Sequence, residues 1–175
     1  MYSKISKSDL TNFLRSRPGA PVCDFESLYE SREFHPENDL FHDIIRGSDD
    51  VNTDIEFLNA RLDQGHFQRV VLKLFAETGV DALLYPTVQV VPPTFQDLAD
   101  GVYTCLTFPT NTVIASQAGL PALSLPAGFT NDGLPIGIEI VGRPFSEARL
   151  LRLAAELEHV LDARRAPVLE TSDAQ

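Results

Sequence analysis

The chain has 175 residues, of which 43% are apolar, and a formal net charge of −11. This length and apolar content suffice for one domain with a sizeable core and exclude a chain that is disordered throughout. The acidic balance argues against nucleic acid and against an anionic membrane surface, because both partners require clustered Lys and Arg. No run approaches the roughly 20 apolar residues of a membrane helix, and no apolar leader follows Met1. We therefore expect a soluble, cytoplasmic protein.

Residues 1–79 predict a mainly helical segment. Apolar residues recur at helical spacing over 1–17, where Ser8 is available as an N-cap. Asp24 is a second candidate N-cap, because its side-chain oxygen can accept a backbone N–H of the following turn. A third short helix is predicted to begin at His35.

The longest helical pattern covers about residues 52–78. Gly65 weakens its middle, and Gly79 stands where a glycine commonly follows a helix end. Twelve acidic residues against three Arg lie between 24 and 63 and supply most of the net charge. A solvated helical surface explains this charge, and a funnel for a cationic substrate is the alternative.

Residues 80–165 predict an α/β segment. The run 81–87 is apolar and closes with a proline and a threonine, which predicts a buried strand. A loop of roughly 20 residues, rich in Pro and Thr, follows; loops of that length in compact domains are usually functional or disordered. Residues 110–118 then predict a short helix ended by Gly119.

Two apolar runs, 122–125 and 136–141, have the length of strands and are bounded by Gly or Pro. The Asn-Asp-Gly sequence at 131–133 between them predicts a tight turn, so an antiparallel pair is expected. An amphipathic helix follows, with Ser146 as its expected N-cap. The polar tail 166–175 is predicted to be flexible.

Cys23 and Cys105 are the only cysteines and are far apart in sequence. They lack the paired spacing of zinc or redox sites, so two free thiols are favoured over a disulfide. The four histidines are scattered without a metal-ligand spacing. The sequence therefore predicts no metal site.

An ordered set of glycine and proline motifs resembles the C-terminal region of amidase signature enzymes. The close resemblance covers about residues 81–160, and a looser one covers 10–36. The motifs are Gly119-Leu-Pro-Ala, Pro126-Ala-Gly, Gly133-Leu-Pro-Ile-Gly and Val141-Gly-Arg, followed by Phe145, Glu147, Leu150 and Leu151.

The resemblance implies an α/β fold: the C-terminal portion of the amidase signature fold, with a mixed β-sheet flanked by helices and an N-terminal helical segment. It implies hydrolysis of non-peptide C–N bonds by a serine that is activated through a second serine and a lysine. In the family those residues lie upstream of the region that this chain resembles, and nothing here matches them. No catalytic residue is carried over, the chain alone is expected to be inactive, and no metal or organic cofactor is implied.

The resemblance also implies which residues face the substrate. In the family, the loop between the first strand and the Gly119 motif lines the pocket. Asn111 matches an asparagine of some bacterial amidases and could orient a substrate carbonyl; capping the next helix is the alternative. Many members have an asparagine at the place of Ser116, whose hydroxyl could instead bond to the preceding helical turn. The candidate substrate-binding residues are Tyr103, Thr110, Asn111 and Ser116.

Two classes of function remain. The chain is either part of an amidase acting on a small-molecule amide, completed by a missing catalytic half or a partner subunit, or an inactive scaffold that kept the fold. Within the first class, a general amidase fits better than the amidase-family component of a tRNA-dependent amidotransferase, because no basic surface for tRNA is evident. The run 136–141 has a single charge, Glu139, which favours a missing sheet neighbour and predicts that the isolated chain forms homodimers or aggregates.

Overall fold

The computed structural model describes residues 2–36, 38–108 and 110–167. The described part of the chain is α/β, which confirms the predicted class. Its helices are α1 (Tyr2–Arg15), α2 (Phe25–Ser31), α3 (Asp39–Ile44), α4 (Ile55–Thr78), α5 (Phe95–Ala99), α6 (Val113–Ala118) and α7 (Glu147–Leu161). Its strands are β1 (Leu83–Pro86), β2 (Ala122–Phe129) and β3 (Pro135–Val141).

The chain divides into two compact units. The first comprises Met1–Leu74 and Pro92–Thr110, and the second comprises Phe75–Val91 and Asn111–Gln175. Helices α1, α2, α3 and α5 and most of α4 belong to the first unit, whereas the sheet, α6 and α7 belong to the second. Most of the predicted flexible tail lies outside the described residues.

In the first unit, α1 packs against α2 and α3. Phe25 is fully buried there and meets the ring of Phe41 edge-on at 5.1 Å between centroids. The predicted cap of α2 is confirmed, since the Ser27 N–H donates to Asp24 Oδ1 at 2.9 Å. The Ser27 hydroxyl and N–H bonds lower the pKa of Asp24 to about 2, so this cap stays charged across the physiological range.

Two helix starts differ from the prediction. Helix α1 begins at Tyr2, so Ser8 lies inside the helix and is not its N-cap. Helix α3 begins at Asp39 rather than at His35. In both places apolar periodicity located the helix, but several polar residues near its start could have served as the cap.

Helix α4 runs through Gly65 without interruption and ends before Gly79, as predicted. Gly79 has φ +67°, a left-handed conformation that glycine adopts without steric cost, and its N–H donates to the Phe75 carbonyl at 3.0 Å. Arg143, the second residue after the end of β3, donates to the carbonyls of Phe75 at 3.4 Å and Val80 at 3.1 Å. The guanidinium thereby holds the end of α4 to the end of β3.

The sheet has the strand order β1-β3-β2, with β3 in the middle. The predicted hairpin of β2 and β3 is confirmed, and its turn contains Gly133 at φ +83°. β2 is longer than expected because it continues through an irregularity between Pro126 and Gly128. The predicted mixed sheet is wrong for the described strands, because both strand pairs are antiparallel.

The predicted buried strand at 81–87 is also corrected. β1 spans four residues at the edge of this sheet, and its residues alternate between half-buried and exposed. Leu84 is 54% exposed. A short apolar run next to a proline does not distinguish an edge strand from a central one, since both contain the same residue types.

Helix α7 covers one face of the sheet. Leu150 and Ala154 of α7 form a buried cluster with Ile140 of β3. Ser146 occupies the predicted N-cap position, but its hydroxyl donates to the Arg143 carbonyl at 2.6 Å and caps no helix N–H. Within the described ranges, no helix combines the length and the apolar composition that crossing a bilayer requires.

Replacing Gly142 with alanine should lower the free energy of unfolding by about 1–3 kcal/mol, the range for an overfilled core. A Cβ at this buried position would lie 2.9 Å from Leu150 Cγ and would collide with the Ser146 hydroxyl. Urea unfolding followed by circular dichroism measures the change. Gly65→Ala is the control, because its Cβ would meet only the end of Arg69 at 3.4 Å. That variant should be up to about 1 kcal/mol more stable, and equal losses in both would contradict the packing argument.

Candidate substrate-binding site

A polar row crosses the face of the sheet opposite α7. Side chains alternate between faces along a strand, so Glu139 lies on the face opposite to its neighbour Ile140. Tyr85 of β1 and Ser124 of β2 are the register partners of Glu139. The Tyr85 hydroxyl donates to Glu139 Oε1 at 2.8 Å, and the Thr87 hydroxyl donates to Ser124 Oγ at 3.3 Å.

Glu139 is only 7% exposed, and Tyr85 gives it a hydrogen-bond partner within the chain. Burial, together with the bond to Glu139, raises the pKa of Tyr85 above its ordinary value. The phenol is a protonated donor to Glu139 at neutral pH, and the raised pKa extends this state to more alkaline conditions. This pair was not predicted, because sequence shows the alternation along each strand but not the register between strands.

Asn111 lies in a single 3-10 turn ahead of α6, where its side-chain amide donates to the Pro86 carbonyl at 2.8 Å. This bond joins the end of β1 to the start of α6. The alternative prediction, that Asn111 caps α6, is not what the structure shows: Thr112 occupies the N-cap position, without a side-chain cap bond.

The four predicted substrate-binding residues fall in both units. Ser116 lies on α6, and its hydroxyl donates to the Val113 carbonyl at 3.1 Å, the bond to the preceding turn that was the alternative. Asn111 and Ser116 share one segment of the second unit. Tyr103 and Thr110 belong to the first unit, where the half-buried Tyr103 meets the ring of Phe108 edge-on at 6.0 Å between centroids.

No catalytic constellation is apparent among the described residues. Ser116 and Ser124 are hydrogen-bonded to a carbonyl and to a threonine, not to a histidine or lysine that could take their protons. A hydrogen bond to Asp39 raises the pKa of the Cys105 thiol, which makes it a poor nucleophile. Within the described ranges, no three His, Cys, Asp or Glu side chains are placed to bind a metal ion.

Comparison with known proteins finds a matching family and similar proteins. Residues 23–151 match the Amidase family. Over 172 residues the chain is 44% identical to a component of the glutamyl-tRNA(Gln) amidotransferase of Myxococcus xanthus, covering 95% of this chain and 35% of that protein. A segment of 57 residues, 32% of this chain, is 47% identical to 9% of fatty acid amide hydrolase from Medicago truncatula.

The structure is also similar to solved structures. It superimposes on the peptide amidase of Stenotrophomonas maltophilia with a TM-score of 0.70 and 25% identity, covering 94% of this chain and 33% of that one. The chain thus spans 35% of the Myxococcus protein and 33% of the peptide amidase.

Replacing Asn111 with alanine should lower the free energy of unfolding by about 0.5–1.5 kcal/mol, because the Pro86 carbonyl loses its partner. Asn111→Asp should cost more, since a carboxylate oxygen would then face the carbonyl oxygen. Thermal and urea unfolding measure both changes. Ser116→Ala is the matched control on the same segment and should stay within about 0.5 kcal/mol of wild type. An Asn111→Ala protein as stable as this control would show that the bond contributes nothing.

Tyr85→Phe should lower the free energy of unfolding near neutral pH, and this decrease should become smaller under alkaline conditions. The unfolded chain releases the phenol proton near pH 10, whereas the folded chain holds it to higher pH. The contribution of the Tyr85 hydroxyl to the free energy of unfolding is therefore complete below about pH 10. It declines as the pH rises above that value towards the higher pKa of the folded chain. Urea unfolding at about pH 9 and about pH 11 should show the gap between wild type and variant narrowing. A constant gap would contradict the assignment.

Proposed function

The chain belongs to the amidase family, and from this premise we propose that it is the C-terminal part of an amidohydrolase that cleaves the C–N bond of a small amide. The observation that carries the proposal is the family match over residues 23–151. The similarity to the peptide amidase, at 25% identity and a TM-score of 0.70, supports the reaction class.

Under this proposal the reacting groups come from polypeptide outside the chain. An alcohol becomes a nucleophile near neutral pH only when a neighbouring base takes its proton, and the tetrahedral intermediate requires oriented donors. Neither Ser116 nor Ser124 has such a base among the described residues. The proposed source is a serine, a second serine and a lysine in the part of the family fold that the chain does not span.

The proposed contribution of this chain is to bind the substrate, through Tyr103, Thr110, Asn111 and Ser116. One N–H of the Asn111 amide donates to Pro86, so its Oδ1 and its second N–H are the groups offered to a ligand. The acceptor suits the N–H of an amide substrate, and the donor suits its carbonyl.

A second candidate is part of an amidotransferase that acts on glutamyl-tRNA(Gln). The 44% identity to the Myxococcus protein favours it. The net charge of −11 weighs against contact between this chain and tRNA. Amidation of glutamyl-tRNA(Gln) together with no hydrolysis of simple amides would favour this candidate over a general amidase. The scaffold alternative predicts neither activity.

The chain alone should release no ammonia from a panel of small primary amides above the rate in buffer, because none of its described residues forms an activated nucleophile. When it is co-expressed and co-purified with the part of the Myxococcus protein outside the matched segment, ammonia release should appear. A coupled glutamate dehydrogenase assay measures both.

Ser116→Ala and Ser124→Ala serve as controls for the chain alone. Turnover by the isolated chain that either substitution abolishes would contradict the proposal. A stable complex that turns over neither amides nor glutamyl-tRNA(Gln) would instead support the scaffold alternative.

A further inference from the structure

The segment that carries Tyr103 continues into a compact turn. The Thr107 N–H and the Phe108 N–H both donate to the Thr104 carbonyl at 3.1 Å. The Thr104 N–H donates in return to the Thr107 hydroxyl at 2.8 Å. These bonds close a β-turn with Cys105 at its second position. The turn fixes the spacing between the rings of Tyr103 and Phe108, whose centroids lie 6.0 Å apart.

The backbone N–H of Cys105 bonds outside this turn. It donates to Asp39 Oδ2 at 3.2 Å, although the two residues are 66 positions apart in sequence. A hydrogen bond to the same carboxylate raises the pKa of the Cys105 thiol, so both donors of this residue meet Asp39. Both residues belong to the first unit. Asp39 therefore ties the turn to the start of α3.

Packing contributes little to the placement of the turn. Residues 104–107 are exposed. The apolar side chains of Val102 and Leu106 are 57% and 56% exposed. A segment that buries so few apolar contacts opens locally at a small cost in free energy. The bond to Asp39 is therefore a large part of what holds the turn in place.

The environment of Asp39 also points to this bond. Its second oxygen, Oδ1, is buried and has no hydrogen-bond partner among the described residues. A buried carboxylate oxygen without a partner costs stability. Asp39 is the first residue of α3, and a carboxylate that served only the helix dipole could do so from solvent without this cost. The position of Asp39 is explained better by the turn than by the helix.

We propose that Asp39 is a positioning residue that holds, through the Cys105 N–H, the turn that presents Tyr103 to the substrate. The proposal rests on the proposed function, in which Tyr103 binds the substrate. Asp39 itself does not touch the substrate. An aromatic ring contributes to binding mainly through the apolar area that it covers. Loss of the bond should therefore weaken the binding of amides that carry an apolar group and leave the chemical step unchanged.

Amide hydrogen exchange of residues 102–108, measured by mass spectrometry on the chain alone, tests the bond. Asp39→Ala should speed this exchange at least about fivefold, which corresponds to the loss of one hydrogen bond. Asp43→Ala is the matched control, because it removes the same charge from the same helix and Asp43 pairs with Arg46 at 3.3 Å. Asp39→Asn keeps one acceptor oxygen and should restore most of the protection.

Cys105→Pro removes the donor instead of the acceptor. Proline has no N–H and is favoured at the second position of such a turn. This variant should speed the exchange of the other amides of the turn as much as Asp39→Ala does, and the double variant should show no further increase. Cys105→Ser keeps the N–H and should resemble wild type. Additive effects of Asp39→Ala and Cys105→Pro, or wild-type exchange in either, would overturn the proposal. Circular dichroism verifies each fold, and Cys105→Pro alone suffices if Asp39→Ala unfolds.

The role in substrate binding is tested in the complex with the co-expressed Myxococcus polypeptide described above, with benzamide and acetamide as substrates. Asp39→Ala should raise KM for benzamide at least about fivefold, and it should leave KM for acetamide and both kcat values within about twofold. Combining it with Tyr103→Ala should add little to the change in KM for benzamide. A general structural defect would instead lower kcat for both amides equally. That result, or equal changes in KM for the two amides, would overturn the role in substrate binding.

The two proposals fail in different ways. A complex that hydrolyses neither amide would refute the proposed function, and exchange in the chain alone would still decide whether Asp39 holds the turn. An active complex in which Asp39→Ala behaves as wild type would refute the positioning role alone.

Discussion

The second unit depends on the pairing of β3 with a strand on each side. β3 is the middle strand, so its alternating side chains define both faces of the sheet. Ile140 contributes to the apolar cluster with α7, and Glu139 lies on the opposite face within hydrogen-bonding distance of Tyr85. A shift of one residue would bury the carboxylate against α7 and expose the isoleucine, so the register is strongly specified.

The end of β3 carries a second constraint. Gly142 allows the chain to pass close to Leu150, and Arg143 then reaches back to the carbonyls at the end of α4. These two adjacent residues connect the helix that precedes the sheet and the helix that follows it to the same strand end. The Val-Gly-Arg motif that contributed to the family resemblance therefore has a structural explanation in packing and hydrogen bonding.

Local features could be predicted from the sequence, whereas features that depend on register could not. The Asp24 cap, the Gly79 helix end and the β2–β3 hairpin each follow from a few neighbouring residues. The edge position of β1, the Tyr85–Glu139 pair and the Asn111–Pro86 bond join residues far apart in sequence. Ser8 shows that a local signal can also give a wrong prediction, because a good capping residue was present but the helix began earlier. The candidate site residues were identified by resemblance to the amidase family, whereas their hydrogen bonds could be identified only from the structure.

The bond between Asn111 and Pro86 also clamps the two ends of the intervening segment together. For a segment whose ends are held together, the entropic cost of closing the loop grows only slowly with the number of residues added. Insertions, deletions and sequence drift there would leave the sheet intact. A clamp of this kind would keep the sheet unchanged while the segment varies in length or composition.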